Sequence, residues 1–251
     1  MAAGVKQLTI IRAFEERAIN AWPALQTVLL GGWVLRVSGG YTKRANSVNA
    51  IDPALPFDAV LAAAERFYAR HDLPAIFRLS PLAMPEVDTV LDKAGYSIFD
   101  PSLVLRMSLS GGCSGAGIEI EETPSVAWLD GFAEANQVAA RHRAIHDRMV
   151  SLIAMPAGFA TLRENGKSIG FGLAVYERGA VGLFDIVVVP SARGRGNGQV
   201  LTDALLQWGW QAGARQAYLQ VRAENEGARK LYAKLGFEEF YHYHYRVPNS
   251  V

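Results

Sequence analysis

The chain has 251 residues, 50% of them hydrophobic, with 25 Lys plus Arg against 24 Asp plus Glu and a formal net charge of +1. That is ample for one large domain or two small ones and argues against disorder, and the scattered basic residues point to neither a nucleic-acid nor a membrane surface. Cys113 is the sole cysteine, so no internal disulfide forms, and with no apolar run suited to a signal core or a membrane span the expectation is a cytoplasmic protein.

In chain order, Leu8 to Phe14 is β-branched enough for a short strand, and Glu15 to Trp22 has a helical patch ended by Pro23. Thr27 to Val37 and Thr42 to Ile51 read as two strands around Ser38-Gly39-Gly40-Tyr41. Phe57 to His71 is an alanine-rich helix, Ala75 to Leu79 a strand, Pro85 to Ala94 a helix stopped by Gly95, and Ser97 to Met107 a strand. A Gly/Ser-rich linker, 110–117, follows. Beyond it come a strand at Ile118 to Glu121, helices at Ser125 to Gln137 and Ala139 to Ile153, and strands Phe159 to Arg163 and Ile169 to Tyr176 around the turn Glu164-Asn165-Gly166. The last strand, Phe237 to Val247, alternates Tyr241, Tyr243 and Tyr245 with His242, His244 and Arg246, which puts the tyrosines on one face.

Between these lies the stretch that carries chemistry. Leu183 to Val189 is a buried-strand run ended by Pro190, and helical spacing resumes from Val200. The turn between them, Arg193-Gly194-Arg195-Gly196-Asn197-Gly198-Gln199, has glycines that permit positive φ and close backbone approach. Amides of a first helical turn flanked by two arginines suit a pyrophosphate. The loop lacks the Gly-Lys-Ser/Thr of a nucleoside-triphosphate loop and the glycine spacing of a dinucleotide fold. A second strand and helix follow: Ala217 to Asn225, then Glu226 to Leu235, with Asn225 as a natural N-cap and Gly236 as the helix stop.

With Arg193-x-x-Gly196-x-Gly198 and the Asn225 to Tyr232 motif together, the sequence resembles the GNAT superfamily of acyl-CoA N-acyltransferases over roughly Gly117 to Val247. The resemblance implies an α/β fold with a mixed, twisted central sheet flanked by helices. Element order before the linker is similar to that after it. Leu91 to Tyr96 aligns with Tyr232 to Phe237, and Ile51-Asp52-Pro53 with Val188-Val189-Pro190 at nearly the same offset, so 1–109 reads as a smaller, degenerate GNAT-like domain and 118–251 as the catalytic one. The first half has no glycine or arginine in Pro53 to Phe57 and carries Leu91 where Tyr232 stands, so it should not bind coenzyme.

The implied co-substrate is acetyl-CoA, with no metal. Its pantetheine arm would lie along Ile186, Val187 and Val188, its pyrophosphate on Gly194 to Gln199 beside Arg193 and Arg195, and Asn225 and Tyr232 would contact it, Tyr232 also donating a proton to the departing thiolate. The partner is a primary amine, of a small molecule or a peptide N-terminus; a non-catalytic acyl-CoA sensor is the alternative, and a general phosphate-loop nucleotide binder a third. A lysine-like amine, of pKa about 10.4, costs on the order of 4 to 5 kcal/mol to deprotonate at pH 7, whereas α-amino groups near 7.7 to 8.0 cost far less. Residues Leu219 to Asn225 are similar to those of ribosomal-protein N-terminal acetyltransferases, which commonly carry a glutamate base where Gln220 stands here. The base then falls to Asp185 first, with Glu177, Glu224 or a histidine as alternatives. His142 and His146, one turn apart among Arg141, Arg143 and Arg148, read as a solvated or acceptor-lining basic helix rather than a metal pair. His242 and His244 are further pocket candidates, and the five tryptophans read as packing.

Overall fold

The computed structural model describes residues 2–111 and 118–249; Cys113 and most of the expected linker lie outside them. The chain forms two compact units that do not follow chain order. One takes the described residues through Leu103 together with Arg222–Glu224 and those from Tyr241 onward; the other takes those of Val104–Val221 and Asn225–Phe240.

The first unit contains α1 (Ala2–Ala21), β1 (Gln26–Leu30), β2 (Trp33–Val37), β3 (Val48–Ala50), α2 (Phe57–Ala69), β4 (Phe77–Leu79), α3 (Pro85–Lys93) and the first part of β5 (Tyr96–Ser108). The strand expected at Leu8 to Phe14 is instead the middle of α1. Thr9, Ile10 and Ile11 favour a strand locally, but Ile11, Phe14, Ala18 and Ala21 recur at helical spacing and are all buried, and that stripe decides. Strand β2 pairs antiparallel with β3 across the segment that holds Ser38 to Tyr41, as expected, but the expected strand Thr27 to Val37 is itself a hairpin of β1 and β2. Its two-residue turn is Gly31-Gly32, both left-handed, closing Leu30 against Trp33. A Cβ at Gly32 would stand 1.8 Å from the Asp52 carbonyl oxygen. Ser38 to Tyr41 is a loop organised by the buried Asn46, whose Oδ1 accepts from the Ser38 and Gly40 amides at 2.7 and 3.0 Å.

The second unit contains the remainder of β5, then β6 (Glu119–Glu121), α4 (Val126–Ala135), α5 (Ala140–Ser151), β7 (Ala157–Glu164), β8 (Lys167–Glu177), β9 (Ala180–Val188), α6 (Asn197–Gln211), nearly all of β10 (Gln216–Arg222), α7 (Glu226–Lys234) and the start of β11 (Glu238–Pro248). Ser125 caps α4 by accepting from the Trp128 amide, and Asn165 and Gly166 make the expected left-handed turn between β7 and β8. Trp128 lies flat on Phe132, meets Phe159 edge-on and donates from Nε1 to the Ala160 carbonyl at 3.1 Å. Its pyrrole nitrogen is thereby satisfied inside an apolar core.

Both units hold mixed sheets flanked by helices, and element order recurs between them. In the first, β1, β2 and β3 form an antiparallel meander, α2 follows, and β4 runs parallel to β3. In the second, β7, β8 and β9 form the meander, α6 follows, and β10 runs parallel to β9. The end of β11 returns to the first unit, where it pairs antiparallel with β4 through His244↔Leu79 and Arg246↔Phe77. There Tyr241 donates to Glu15 at 2.6 Å, and Arg246 donates to Asp88, Asp92 and the Tyr96 carbonyl. Tyr241, Tyr243 and Tyr245 are all buried, as the period-two pattern requires. Among the described residues no helix is long and apolar enough to cross a membrane.

Candidate active site

The site begins with a register fault. Leu173 of β8 pairs with Phe184 of β9, but Phe171 pairs with Val187, so β9 carries one residue more than β8 across that interval. Asp185 takes up the bulge with φ of +50°, in the left-handed region that asparagine and aspartate tolerate better than other side-chain-bearing residues. Bulges bend and twist a strand, and the parallel pairing of β9 with β10 runs only from Ala180↔Gln216 to Leu183↔Leu219. Both strands continue past that point, β9 to Val188 and β10 to Arg222. The half-buried stretch Asp185 to Val188, including Ile186, Val187 and Val188, therefore has backbone on its β10 side without a strand partner in that register. Gln220 is the first residue of β10 beyond the last pair.

At the end of β9, Pro190–Ala192 make one 3₁₀ turn and the glycine loop follows. Gly194 and Gly196 are left-handed, at φ of +75° and +82°, and a Cβ at either would meet nothing within 4 Å. Backbone conformation, not space, asks for glycine there. Gly196 is the N-cap of α6, so the first amides of that helix, from Asn197 and Gly198, point at the loop without intrahelical acceptors. The two arginines are exposed and anchored by main-chain oxygens: Arg193 Nε donates to Val188 at 2.9 Å, and Arg195 donates to Ser191 at 2.7 Å. Asn197 donates its side-chain amide to the Ala192 carbonyl at 3.0 Å.

Helix α7 is packed against this loop. A Cβ on Gly198 would come within 3.3 Å of Leu231, and Lys234 donates to the Gln199 side chain at 3.0 Å. Lys234 thus adds a third cation to the loop, one that its distance in sequence concealed. Asn225 caps α7, its side-chain oxygen accepting from the Ala228 amide at 3.1 Å. Two turns on, Tyr232 is 9% exposed with its ring against Phe237 at 5.7 Å. Its hydroxyl has no hydrogen-bond partner among the described residues, and burial pushes its pKa up to about 12. A tyrosine so placed stays protonated at neutral pH and has a proton to give.

Of the two readings of its helix, solvated or acceptor-lining, His146 excludes the first. It is not solvated: its side chain is 0% exposed and lies face to face with Phe132 at 4.8 Å. Its Nε2 stands 3.4 Å from Asp185 Oδ2 and its Nδ1 stands 3.1 Å from Asp147 Oδ1. Burial opposes its charge, but the hydrogen bonds and charges of Asp185 and Asp147 outweigh that and raise its pKa above the ordinary histidine value.

The other candidates fall elsewhere. Glu177 pairs with Ala180, five positions before Asp185, which is about 17 Å along a strand; it also bonds Arg178. Glu224 is exposed and paired with Arg222. His142 is half-buried beside Arg141, His242 is exposed, and His244 is held by Asp88 at 2.8 Å.

Comparison with known proteins gives the family and the fold. A family described as the probable histone acetyltransferase Rv0428c C-terminal region matches residues 9–246. The uncharacterized N-acetyltransferase YobR of Bacillus subtilis is 30% identical over 94% of this chain and 98% of its own length. The [ribosomal protein bS18]-alanine N-acetyltransferase of Haemophilus influenzae is 36% identical over 78 residues, 31% of this chain and 53% of that protein. Among solved structures, a GCN5-related N-acetyltransferase from Kribbella flavida shares the fold with a TM-score of 0.70, at 17% identity over 95% of both chains.

Proposed function

The chain belongs to the family of the Rv0428c C-terminal region, within the GNAT superfamily, and is an N-acetyltransferase; from that premise we propose that it moves the acetyl group of acetyl-CoA directly onto a primary amine, of a small molecule or a peptide N-terminus. The observation that carries the reading is the bulge at Asp185, where β9 parts from β10 within one strand's length of the glycine loop. The loop, with the first-turn amides of α6 and the cations Arg193, Arg195 and Lys234, suits the pyrophosphate. The unpaired side of Ile186 to Val188 suits the amide-bearing pantetheine arm as an added strand, which leaves a strand amide to polarise the thioester carbonyl.

Asp185 takes the proton of the attacking amine and Tyr232 supplies one to the departing thiolate. Burial keeps Tyr232 a neutral phenol at neutral pH, as a donor to the thiolate must be. Asn225 fixes the start of α7 and with it the height of Tyr232 beside the loop. The relative that acts on a ribosomal-protein alanine supports an α-amino group as acceptor, the amine class that needs least help to lose its proton.

The test is release of free CoA from acetyl-CoA against a panel of small amines and peptides with free N-termini, with acetyl-CoA binding followed by calorimetry. Amine-dependent release is expected, abolished in Asp185→Asn and reduced in Tyr232→Phe with acetyl-CoA affinity kept. Full-rate turnover by Asp185→Asn refutes the base; absence of acetyl-CoA binding refutes the whole reading.

A further inference from the structure

We propose that His146 works through Asp185 as the proton store of the acetyl transfer, a positioning and relay residue that never touches the acceptor; this rests on the reading of Asp185 as the base. The division of labour follows from access. Asp185 keeps 9% of its side chain exposed, whereas His146 keeps none. Only the carboxylate can meet an amine, and only the imidazole behind it has an intrinsic basicity near neutrality. An ordinary carboxylate, of pKa about 3.9, is a poor place to leave a proton taken from an ammonium at pH 7.

The surroundings of the ring are built for the task. Asp185 from β9 faces Nε2, and Asp147 from the same helix faces Nδ1. Behind Asp147, Arg143 donates from Nε to both of its oxygens at 3.1 Å and also bonds Asp130 of α4. Helix α4 otherwise presents the uncharged rings of Phe132 and Trp128, stacked at 4.8 and 6.3 Å, which hold the imidazole in one plane. Charges alternate from the bulge outward: Asp185, His146, Asp147, Arg143, Asp130. With Asp147 fixing the proton on Nδ1, Nε2 is the nitrogen that takes or gives one toward Asp185.

The step balances. The acceptor N–H bond breaks and its proton passes to Asp185; as an N–H bond forms on His146 Nε2, Asp185 is a carboxylate again. The freed nitrogen pair attacks the acetyl carbon, the C–S bond breaks, the thiolate takes the Tyr232 proton, and the second N–H proton of the former ammonium leaves the acylated nitrogen for solvent water, so the product is a neutral amide. After the amide departs, the stored proton leaves through Asp185, since the ring is sealed from solvent, and Tyr232 regains its own from water.

The test combines imidazole ¹⁵N NMR with kinetics. His146 in the otherwise unaltered protein is expected to titrate above pH 6.5 by losing the Nε2 proton while Nδ1 keeps its own, and Asp185→Asn is expected to lower that midpoint. With an amine from the panel, kcat/KM should rise about tenfold per pH unit up to the same midpoint and then level. In His146→Gln, which keeps a donor but cannot titrate, that limb should vanish and kcat fall about 10² fold with the acetyl-CoA Kd unchanged. Deprotonation at Nδ1, or no titration between pH 5 and 9, overturns the proposal without any turnover assay. So does an unchanged limb in His146→Gln or, should that variant fail to fold, a kinetic midpoint more than one unit from the NMR one. An inactive Asp185→Asn beside a His146→Gln with the normal profile removes the relay alone; an active Asp185→Asn removes the base reading itself.

Discussion

At Tyr232, burial and chemistry pull the same way. The environment that raises the phenol to about 12 also keeps it protonated through the whole range in which the protein is expected to work, as the proposed proton donor requires. Replacement by Phe removes the hydroxyl and leaves the packing against Phe237, so kcat should fall about 10 to 100 fold while calorimetry finds the acetyl-CoA Kd within about twofold. His146 makes a separate prediction about stability. Its folded pKa lies above the unfolded value of about 6.5, so the pair with Asp185 contributes fully below pH 6.5 and its contribution is lost as pH rises through the folded value. Urea unfolding between pH 5.5 and 8.5 should show that downward slope, and Asp185→Asn should flatten it. The sequence held both residues in view, Asp185 as the first candidate base and His146 on a helix read as solvated or acceptor-lining, but not their contact: they lie 39 positions apart, and no local pattern says that a helix of arginines and histidines turns one ring inward.

At the level of elements, the glycine loop and α7 were legible because their rules are local. Positive φ at Gly194 and Gly196, the Asn225 cap and the Gly236 stop each depend on a few neighbouring residues. Gly196→Ala should therefore cost about 1 to 2 kcal/mol at the left-handed N-cap and distort the first turn of α6, weakening acetyl-CoA binding more than the small fall in thermal midpoint suggests. Calorimetry and a melting curve on the same sample decide it. The bulge was not legible. It is a mismatch of register between β8 and β9, a property of two strands together that neither strand displays alone. The expected strand Thr27 to Val37 misled for a related reason: Gly31-Gly32 and Gly39-Gly40 both lie between antiparallel-paired strands, and only the pairing of Leu30 with Trp33 shows that the first dipeptide is a turn as well. In α1 the β-branched run at Thr9 to Ile11 lost to the buried stripe that only the folded unit provides.

Across the whole molecule, the recurrence of meander, helix, parallel strand and helix was readable from the order of elements, because each repeat is written consecutively. The sharing of strands was not. Strand β11 is written after the second repeat yet its residues from Tyr241 onward belong to the first unit, where Tyr241 reaches the buried Glu15 and Arg246 holds Asp88. Glu15 and Arg78 are 1% and 4% exposed and paired with each other, so Glu15→Ala leaves a buried guanidinium uncompensated and should cost about 3 to 5 kcal/mol in urea unfolding. The acid side has its own signature in this unit. The Arg246 hydrogen bond, with His244 beside it, holds Asp88 below the usual carboxylate value, so its contribution is present above pH 4 and is lost as pH falls through the folded value. Arg246→Ala should make the protein less sensitive to acid over that window. During synthesis, β4 must wait at the ribosome with one edge unpaired until residues 241–248 have been translated. A stall or nonsense codon before Tyr241 would thus release a product whose two halves are both written but whose first half still exposes an unpaired strand, the kind of edge that recruits neighbouring chains.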